Sequence, residues 1–528
     1  MGYKVLVTDN VSDTGVDILR REEDIEVDVR GKLTEEELCG IIGAYDALIV
    51  RSATKVTARV LEHAAKLKVI GRAGVGVDNI DIPKATELGI IVVNAPDGNT
   101  IAATELTMAH MLALARNLPQ ADARLKAGVW DKKAFIGVEL RNKTLGILGL
   151  GRIGSGVAVR AQAMEMDCIA YDPYISEERA RQLGVKLMSL EEVIARADFI
   201  TIHMPLTKES YHLLDEKAFA KMKDGVRIIN CARGGIVDET ALYNAMVSGK
   251  VAGAALDVFE EEPQTKSPLF QLPNFIATPH LGASTREAQV SVAVDVAEEI
   301  IKGLRGEVVK NAVNLPGLKP EMLQEIQPYL SLAEKMGKFH AQMLRGRIRE
   351  IQVTYSGDLA QKQVTTLTAG LLKGLLDSIL QERVNFVNAM IVAKNRGIRV
   401  YETKVDSASD YSSLITVKVV SGKGEYELSG TLFQGNDPRI VFIDGYRVDA
   451  VPEGHMLVVP HIDKPGIVGK VGTLIGEHNI NIAAMQVGRK KIGGKAVMVL
   501  RVDNDVPEET LAEMVKIDGV EDVRMVSL

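Results

Sequence analysis

Three glycines and one acid carry the clearest chemistry in this chain. Gly149, Gly151 and Gly154 follow the apolar run Leu145, Ile147, Leu148 in a G-x-G-x-x-G spacing. Val157, Ala158, Ala161 and Met164 continue at helical period, and a second apolar run over 168–171 ends on Asp172. In such a unit the first glycine permits a tight turn and the second lets the backbone approach a pyrophosphate. The third lets helix and strand pack closely, with the helix N-terminus toward the phosphates. Asp172 stands where a carboxylate meets an adenosine ribose. It would take both ribose hydroxyls and repel a 2′-phosphate, so NAD is expected rather than NADP. Three glycines alone describe any strand-turn-helix. The full order of strand, glycine turn, helix, strand and acid is what favours dinucleotide binding.

Three further clusters lie downstream. NCARGGIVDE carries Arg233, LDVFEEEP carries Asp257 and Glu262, and TPHLGAST carries His280. Each follows a predicted strand, and ligands of open α/β sheets sit at the carboxyl ends of strands. Singly, each has a bland reading: a solvated charge, a helix cap, a loop histidine beside proline. Polar residues from three strand ends facing one crevice are harder to dismiss.

The elements that must position them alternate strand with helix. Strands are expected over 4–8, 26–29, 47–50, 67–71 and 90–94, with helices over 14–22 and 34–42, the latter capped by Thr34. This predicts a parallel sheet with right-handed crossovers. A long apolar helix starts at Asn99 or Thr100. Strands over 199–203, 226–230, 254–256 and 276–278 extend the dinucleotide unit, and a helix over 285–304 returns the chain to the first sheet. Pro316, Gly317 and Pro320 mark a boundary. Beyond it come a helix over 324–344, a strand over 350–356, two helices within 364–395 and antiparallel strands within 413–446. Residues 455–525 read βαββαβ, the ferredoxin-like order.

The whole-chain balance is mild. There are 528 residues with a net charge of −7, 4% aromatics and no basic run, so several domains and no nucleic-acid partner are expected. Cys39, Cys168 and Cys231 are far apart and suggest neither disulfide nor metal site. No signal-peptide pattern or membrane-length apolar run is seen, so a cytoplasmic location is expected.

GLGRIG, the D-P after the second strand, H-M-P-L-T, NCARGGIVDE, LDVFEEEP and TPHLGAST stand in one order. Over 4–314 the chain resembles the D-isomer-specific 2-hydroxyacid dehydrogenases. Its C-terminal half resembles the intervening and ACT domains of their long forms, with HIDKPGIVGKVGTLIGEHNINI as the signature of the latter. The resemblance implies a Rossmann-type dinucleotide domain (98–284) inserted in a flavodoxin-like substrate domain (1–97 and 285–314). An α+β intervening domain (315–452) and a ferredoxin-like ACT domain (453–528) follow.

The activity implied is NAD-dependent oxidation of 3-phospho-D-glycerate to 3-phosphohydroxypyruvate, the first step toward L-serine. The resemblance gives Arg233 the substrate carboxylate, His280 the hydroxyl proton and Glu262 the orientation of His280. It places Val75, Arg152, Ile153, Met204, Cys231, Ala232, Asp257, Gly282 and Ala283 with Arg233, His280, Asp172 and the glycine turn around NAD. Arg51, Ser52, Gly74, Val75, Gly76 and Asn99 fall on the substrate side. Lys132 and Lys133 are candidates for the phosphate, reaching into a neighbouring subunit of a homodimer or homotetramer. His461, Asp463 and Asn481 stand at the ACT effector positions, with L-serine as first candidate. Arg439, Arg447 and Arg501 are candidate anion ligands. No metal is implied. A sister dehydrogenase for glyoxylate or hydroxypyruvate and an NAD-sensing binding protein are the competing readings. The ACT-like module speaks against the first and the intact Arg233, Glu262 and His280 set against the second.

Overall fold

The computed structural model describes residues 2–307, 309–315, 320–380, 384–408 and 410–528. Pro316 and Gly317 of the expected boundary lie outside them, while Pro320 opens the helix Pro320–Met343. Four sheets organise the chain.

The first sheet is wholly parallel, in the order Ile25–Val29, Tyr3–Val7, Ala47–Val50, Val69–Arg72, Ile91–Asn94. That is the flavodoxin-like 2-1-3-4-5 order. Its central strand Ala47–Val50 is buried at every position, as a sheet covered on both faces requires. The helix Arg286–Arg305 returns to this sheet, with Thr285 capping it through the Ala288 N–H and Gly306 ending it at φ 74°. It packs so closely on the helix Asp13–Arg20 that a Cβ at Gly15 would lie 2.5 Å from the Ala293 carbonyl oxygen.

The second sheet has seven parallel strands, in spatial order Phe275–Ala277, Val251–Leu256, Val226–Asn230, Phe199–Ile202, Thr144–Leu148, Asp167–Tyr171, Lys186–Leu187. The chain starts in the middle and reverses direction between Thr144–Leu148 and Phe199–Ile202. That is the Rossmann switch point, where a crevice opens at the carboxyl ends. The helix Thr100–Arg116, which precedes this sheet in sequence, packs on Val226–Asn230 and Val251–Leu256 and is ended by Asn117 in the left-handed conformation. Asn99 occupies the N-cap position, but its side chain makes no cap bond.

The third sheet has six strands, and one of them was not expected. Arg399–Val405 pairs in parallel with Ile348–Gly357 at the sheet edge, while the strands from Ser413–Ser421 to Tyr446–Ala450 are antiparallel. The fourth has the order Ile482–Arg489, Lys495–Val502, His455–Ile462, Arg524–Ser527, which is the ferredoxin-like 4-1-3-2 read from its other edge. The helices Ile467–Glu477 and Glu508–Val515 supply Ile467, Val471, Ile475 and Met514 to its core. Among the described residues no helix is long and apolar enough to cross a membrane, and no cluster of side chains could hold a metal ion. All three cysteines are free, and Cys168 and Cys231 are buried.

Candidate active site at the switch point

The three glycines of the turn meet three different demands. Gly149 has φ 94°, and a Cβ there would lie 2.6 Å from the His203 carbonyl oxygen. A Cβ on Gly154 would lie 2.1 Å from the Gly149 oxygen, so the helix seats directly on the turn. Around Gly151 nothing lies within 4 Å of the Cβ position, which leaves room for a ligand. Gly151 is the N-cap of the helix Arg152–Ala163 and makes no side-chain cap bond. Its first-turn N–H groups therefore face a cleft of about 480 Å³ lined by Asp97, Thr100, Leu150, Gly151, Arg152, Ser155, Ile175 and Arg179. Arg152 reaches across this cleft to Asp97, at 2.5 Å.

Asp172 ends its strand as expected. Its carboxylate accepts the Leu150 N–H at 2.8 Å and the N–H groups of Tyr174 and Ile175 at 2.8 and 3.2 Å. The acid is thus held against the glycine turn. An open cradle at Gly151, a helix N-terminus and a fixed acid beyond the second strand fit NAD. Met204 borders the turn, its Cγ 2.9 Å from the Cβ position of Gly149. Cys231 is buried at the next strand end, and burial, then the charge of Asp257, pushes its thiol up to about 12. It is therefore a packing residue rather than a nucleophile.

The strand-end clusters converge. Nδ1 of His280 lies 2.7 Å from a Glu262 oxygen, and the other Glu262 oxygen accepts the Phe259 N–H at 3.1 Å. Burial raises the Glu262 carboxyl. The hydrogen bond and charge of His280, the Phe259 N–H and the charge of Arg233 outweigh it and hold the group below the usual range. Because Glu262 is ionised and only accepts, Nδ1 of His280 carries a hydrogen, and in the neutral imidazole Nε2 then holds the lone pair. His280 itself has φ 56°, an unusual backbone for a residue with a side chain. Asp257, fully buried, takes the His280 N–H on its carbonyl at 2.9 Å and the Leu281 and Gly282 N–H groups on its carboxylate at 2.7 and 2.9 Å.

Arg233 projects from the turn after Val226–Asn230. Asn230 ties this turn by accepting the Ala232 N–H and donating to the Arg233 carbonyl. The guanidinium donates to Asp78 at 3.2 Å and to the Ala232 carbonyl at 2.7 Å, so it spans from one parallel sheet to the other. A Cβ on Gly76 would lie 2.2 Å from its Nη2. A Cβ on Gly74 would likewise lie 1.5 Å from Nη1 of Arg72. The glycines of the 74–76 loop are therefore where two guanidinium groups lie against the backbone. Asn94 holds that loop through the Val75 carbonyl at 2.6 Å.

Arg72 and Asp78 were not expected. Burial, then the charges of Arg233 and Arg51, brings the Arg72 guanidinium down to about 10, with Asp78 and Asp9 opposing. Its Nε is buried and has no hydrogen-bond partner. Arg72 ends a parallel strand at the crevice, and that position was the available signal. Arg51 donates from its backbone to Asp9 and from Nη1 to the Asn10 carbonyl, while Ser52 is exposed. The Asn99 side-chain oxygen is buried with no hydrogen-bond partner among the described residues. Lys132 and Lys133 are exposed on their loop, and their ammonium groups make no ion pair among the described residues.

The ACT positions are dispersed. Asp463 accepts from Arg489 at 2.8 Å and from the Gly493 N–H at 3.3 Å. Asn481 donates to Asp503 at 2.8 Å. His461 is buried, its Nδ1 3.0 Å from the Val459 carbonyl. The strand register pairs Ile462 with Lys495 and both His455 and Ile482 with Val502. Asp463 and Asn481 therefore lie at opposite ends of the sheet, on the order of 25 Å apart at the usual strand rise. Arg439 pairs with Asp437 and Asp449, Arg447 with Asp410 and Arg501 with Glu453, so each already faces a carboxylate.

Three family models match in order along the chain. They are the D-isomer specific 2-hydroxyacid dehydrogenase NAD binding domain at 108–282, the D-3-phosphoglycerate dehydrogenase intervening domain at 325–444 and the ACT domain at 455–519. A D-3-phosphoglycerate dehydrogenase of Archaeoglobus fulgidus is 51% identical over 99% of this chain and 100% of its own length. One of Bacillus subtilis is 44% identical over the whole of both chains. Among solved structures, a D-lactate dehydrogenase of Aquifex aeolicus complexed with NAD and lactic acid is 30% identical. It covers 59% of this chain and 100% of its own, with a TM-score of 0.53. With full-length relatives at this identity and the three domain matches in sequence, the chain belongs to the D-3-phosphoglycerate dehydrogenase family of the D-isomer-specific 2-hydroxyacid dehydrogenases.

Proposed function

We propose that the chain oxidises 3-phospho-D-glycerate to 3-phosphohydroxypyruvate with NAD, the first step toward L-serine. The supporting observation is the 2.7 Å Glu262–His280 pair, close enough to Arg233 for its charge to act on Glu262. When bound, NAD supplies the hydride acceptor. Arg233 offers its planar fork to the substrate carboxylate and carbinol oxygen. His280 takes the hydroxyl proton on Nε2 as the hydride leaves C2, and the C2–O bond becomes a carbonyl. Glu262 keeps the imidazole in the tautomer that can accept that proton. Arg51, Arg72 and Arg233 give the crevice the positive charge that a phosphorylated acid needs. Gly74, Val75 and Gly76 of the loop beside Arg233, together with Asn99, serve the substrate. Asp172 serves the adenosine ribose.

In this reading 1–97 with 285–314 bind substrate, 98–284 bind NAD, and 315–452 and 453–528 regulate. The protein acts in the cytoplasm as a homo-oligomer. The helix Leu118–Lys126 has no buried residue, and Trp130 and Ile136 beyond it are 75% and 81% exposed. Such an apolar segment calls for a partner. L-serine binds where Asp463 of one ACT domain meets Asn481 of another, because edge strands such as Ile482–Arg489 invite pairing between chains. Initial rates of NADH formation with 3-phosphoglycerate, glyoxylate and hydroxypyruvate, with and without serine, test this. A preference for 3-phosphoglycerate and inhibition by serine are expected. No turnover of 3-phosphoglycerate overturns the assignment.

A further inference from the structure

The turn that carries His280 is held by more than the residues the resemblance names. His280 sits at φ 56°, and a side chain held at such a backbone needs neighbours that enforce it. Asp257 supplies most of that enforcement through the N–H groups of His280, Leu281 and Gly282. A fourth bond fixes the start of the turn: the Thr278 hydroxyl donates to Oδ1 of Asp257 at 2.6 Å. Asp257 is fully buried, so this carboxylate has no water with which to exchange its bonds.

The Thr278 hydroxyl has one hydrogen, and the carboxylate takes it. Its oxygen must therefore accept from Nε2 of His110, which lies 3.0 Å away. That settles the His110 tautomer as Nε2–H. His110 is buried in the helix Thr100–Arg116, whose first turn lines the cofactor cleft through Thr100. A run of bonds thus leads from this helix through His110, Thr278 and Asp257 to the backbone of His280. A histidine on an apolar helix ordinarily reads as a satisfied core residue. Here its side-chain partner, Thr278, is a link in the mounting of the catalytic imidazole.

We propose that His110 and Thr278 are positioning residues for His280, acting through Asp257. Neither touches substrate. They set where Nε2 of His280 stands when the hydroxyl proton leaves, and a displacement on the order of 1 Å at that point costs up to a hundredfold in rate. The proposal rests on the assignment of His280 as the base of a 2-hydroxyacid dehydrogenase.

The test uses the full-length protein and four variants. Thr278→Val and His110→Phe remove the two bonds at nearly constant volume. Thr278→Ser and His110→Gln retain a hydroxyl and an N–H donor. The parent rate with 3-phosphoglycerate checks the functional reading separately, since its absence would overturn that reading whatever the variants do. With an active parent, Thr278→Val and His110→Phe should lower kcat by about 10- to 100-fold. KM for the acid and the Kd for NADH from fluorescence titration should stay within about twofold, while Thr278→Ser and His110→Gln recover most of kcat. Melting curves establish that each variant is folded, and the conservative pair carries the test if the other two are not: half or more of the parent kcat in both is the expected result. A kcat within twofold of parent in Thr278→Val and His110→Phe overturns the proposal. So does a loss seen mainly in NADH affinity, which would make these residues cofactor supports.

Discussion

The crevice at the switch point and the ACT face arrange their polar groups in opposite ways. In the crevice the polar groups come from far apart in sequence and meet within one chain. Arg233 reaches Asp78, His280 reaches Glu262, and Asp257 binds the whole 278–282 turn. Nε of Arg72 and the Asn99 side-chain oxygen are buried there with no hydrogen-bond partner among the described residues. On the ACT face Asp463 and Asn481 stand at opposite ends of one sheet and are satisfied by Arg489 and Asp503 of their own chain. The Arg489 hydrogen bond, the Gly493 N–H and the charge hold Asp463 below the usual carboxylate range. In the proposed reading an effector would replace those partners and draw on a second copy, and it would shift an equilibrium only by binding two states unequally.

The largest effect expected lies in the crevice. His280→Ala should lower kcat by about 10²–10⁴, the usual worth of a positioned base. Glu262→Gln keeps a hydrogen-bond acceptor but loses the charge and should fall by less. Because the Glu262 carboxyl is held below its ordinary 4.5, the pair survives at pH 5 and is lost only as pH falls further. A steady-state pH profile of the parent should therefore show no Glu262-linked loss above pH 5. An unchanged kcat in both variants would dissolve the contrast.

The ACT face predicts a complementation result. Asp463→Ala and Asn481→Ala should each reduce serine inhibition by about 5- to 150-fold, the range of ordinary coupling energies. Basal kcat should hardly move. If the site is shared between chains, oligomers mixed from the two variants should regain part of the inhibition, because one interface then carries both intact residues. Mixed oligomers as insensitive as either parent variant would place the effector elsewhere.

A smaller effect is expected at the ribose end. Asp172→Ala should cost about tenfold in kcat/KM for NAD, the worth of hydrogen bonds to a charged group, and narrow the preference over NADP. A parent that prefers NADP would remove Asp172 from this role.

The smallest effect lies in the core of the intervening region. His340 is buried, neither ring nitrogen makes a hydrogen bond of ordinary geometry among the described residues, and burial brings it down to about 4, opposed only weakly by a long contact with the Val417 backbone. Its folded pKa is depressed, so the unfolded chain binds the extra proton first. The stability is complete above about pH 6.5 and is lost as pH falls toward 4, by at most about 1.4 kcal/mol per unit. His340→Phe should flatten the fall of Tm over that window by a few degrees, read from thermal melts at pH 7, 6 and 5. An identical pH dependence in both proteins would show that the ring is not the group responsible.

Much of this architecture was legible in local pattern. The glycine turn, the strand ends before Arg233, Asp257 and His280, and the βαββαβ order of the last domain are written in spacings of a few residues. Thr34 and its Glu37 form the capping box that its position announced. The edge strand Arg399–Val405 escaped because nearly all of it is exposed, so no alternation marks it. Its parallel pairing across two helices has no local sign at all.

The sequence by itself determined which side chains were available and on which kind of element each would stand, because periodicity and turn chemistry act over one or two turns of backbone. Only the tertiary structure decided which of them meet. Asp78 pairs with Arg233 across |i−j| = 155 and His110 with Thr278 across |i−j| = 168. Arg72, partly buried, meets the charges of Arg233 and Arg51 only in the folded chain, and no spacing along the chain encodes that meeting. Asp463 and Asn481 are kept apart by a strand register that depends on the packed core beneath it. Distance in space, and with it desolvation and charge coupling, is set by packing between elements.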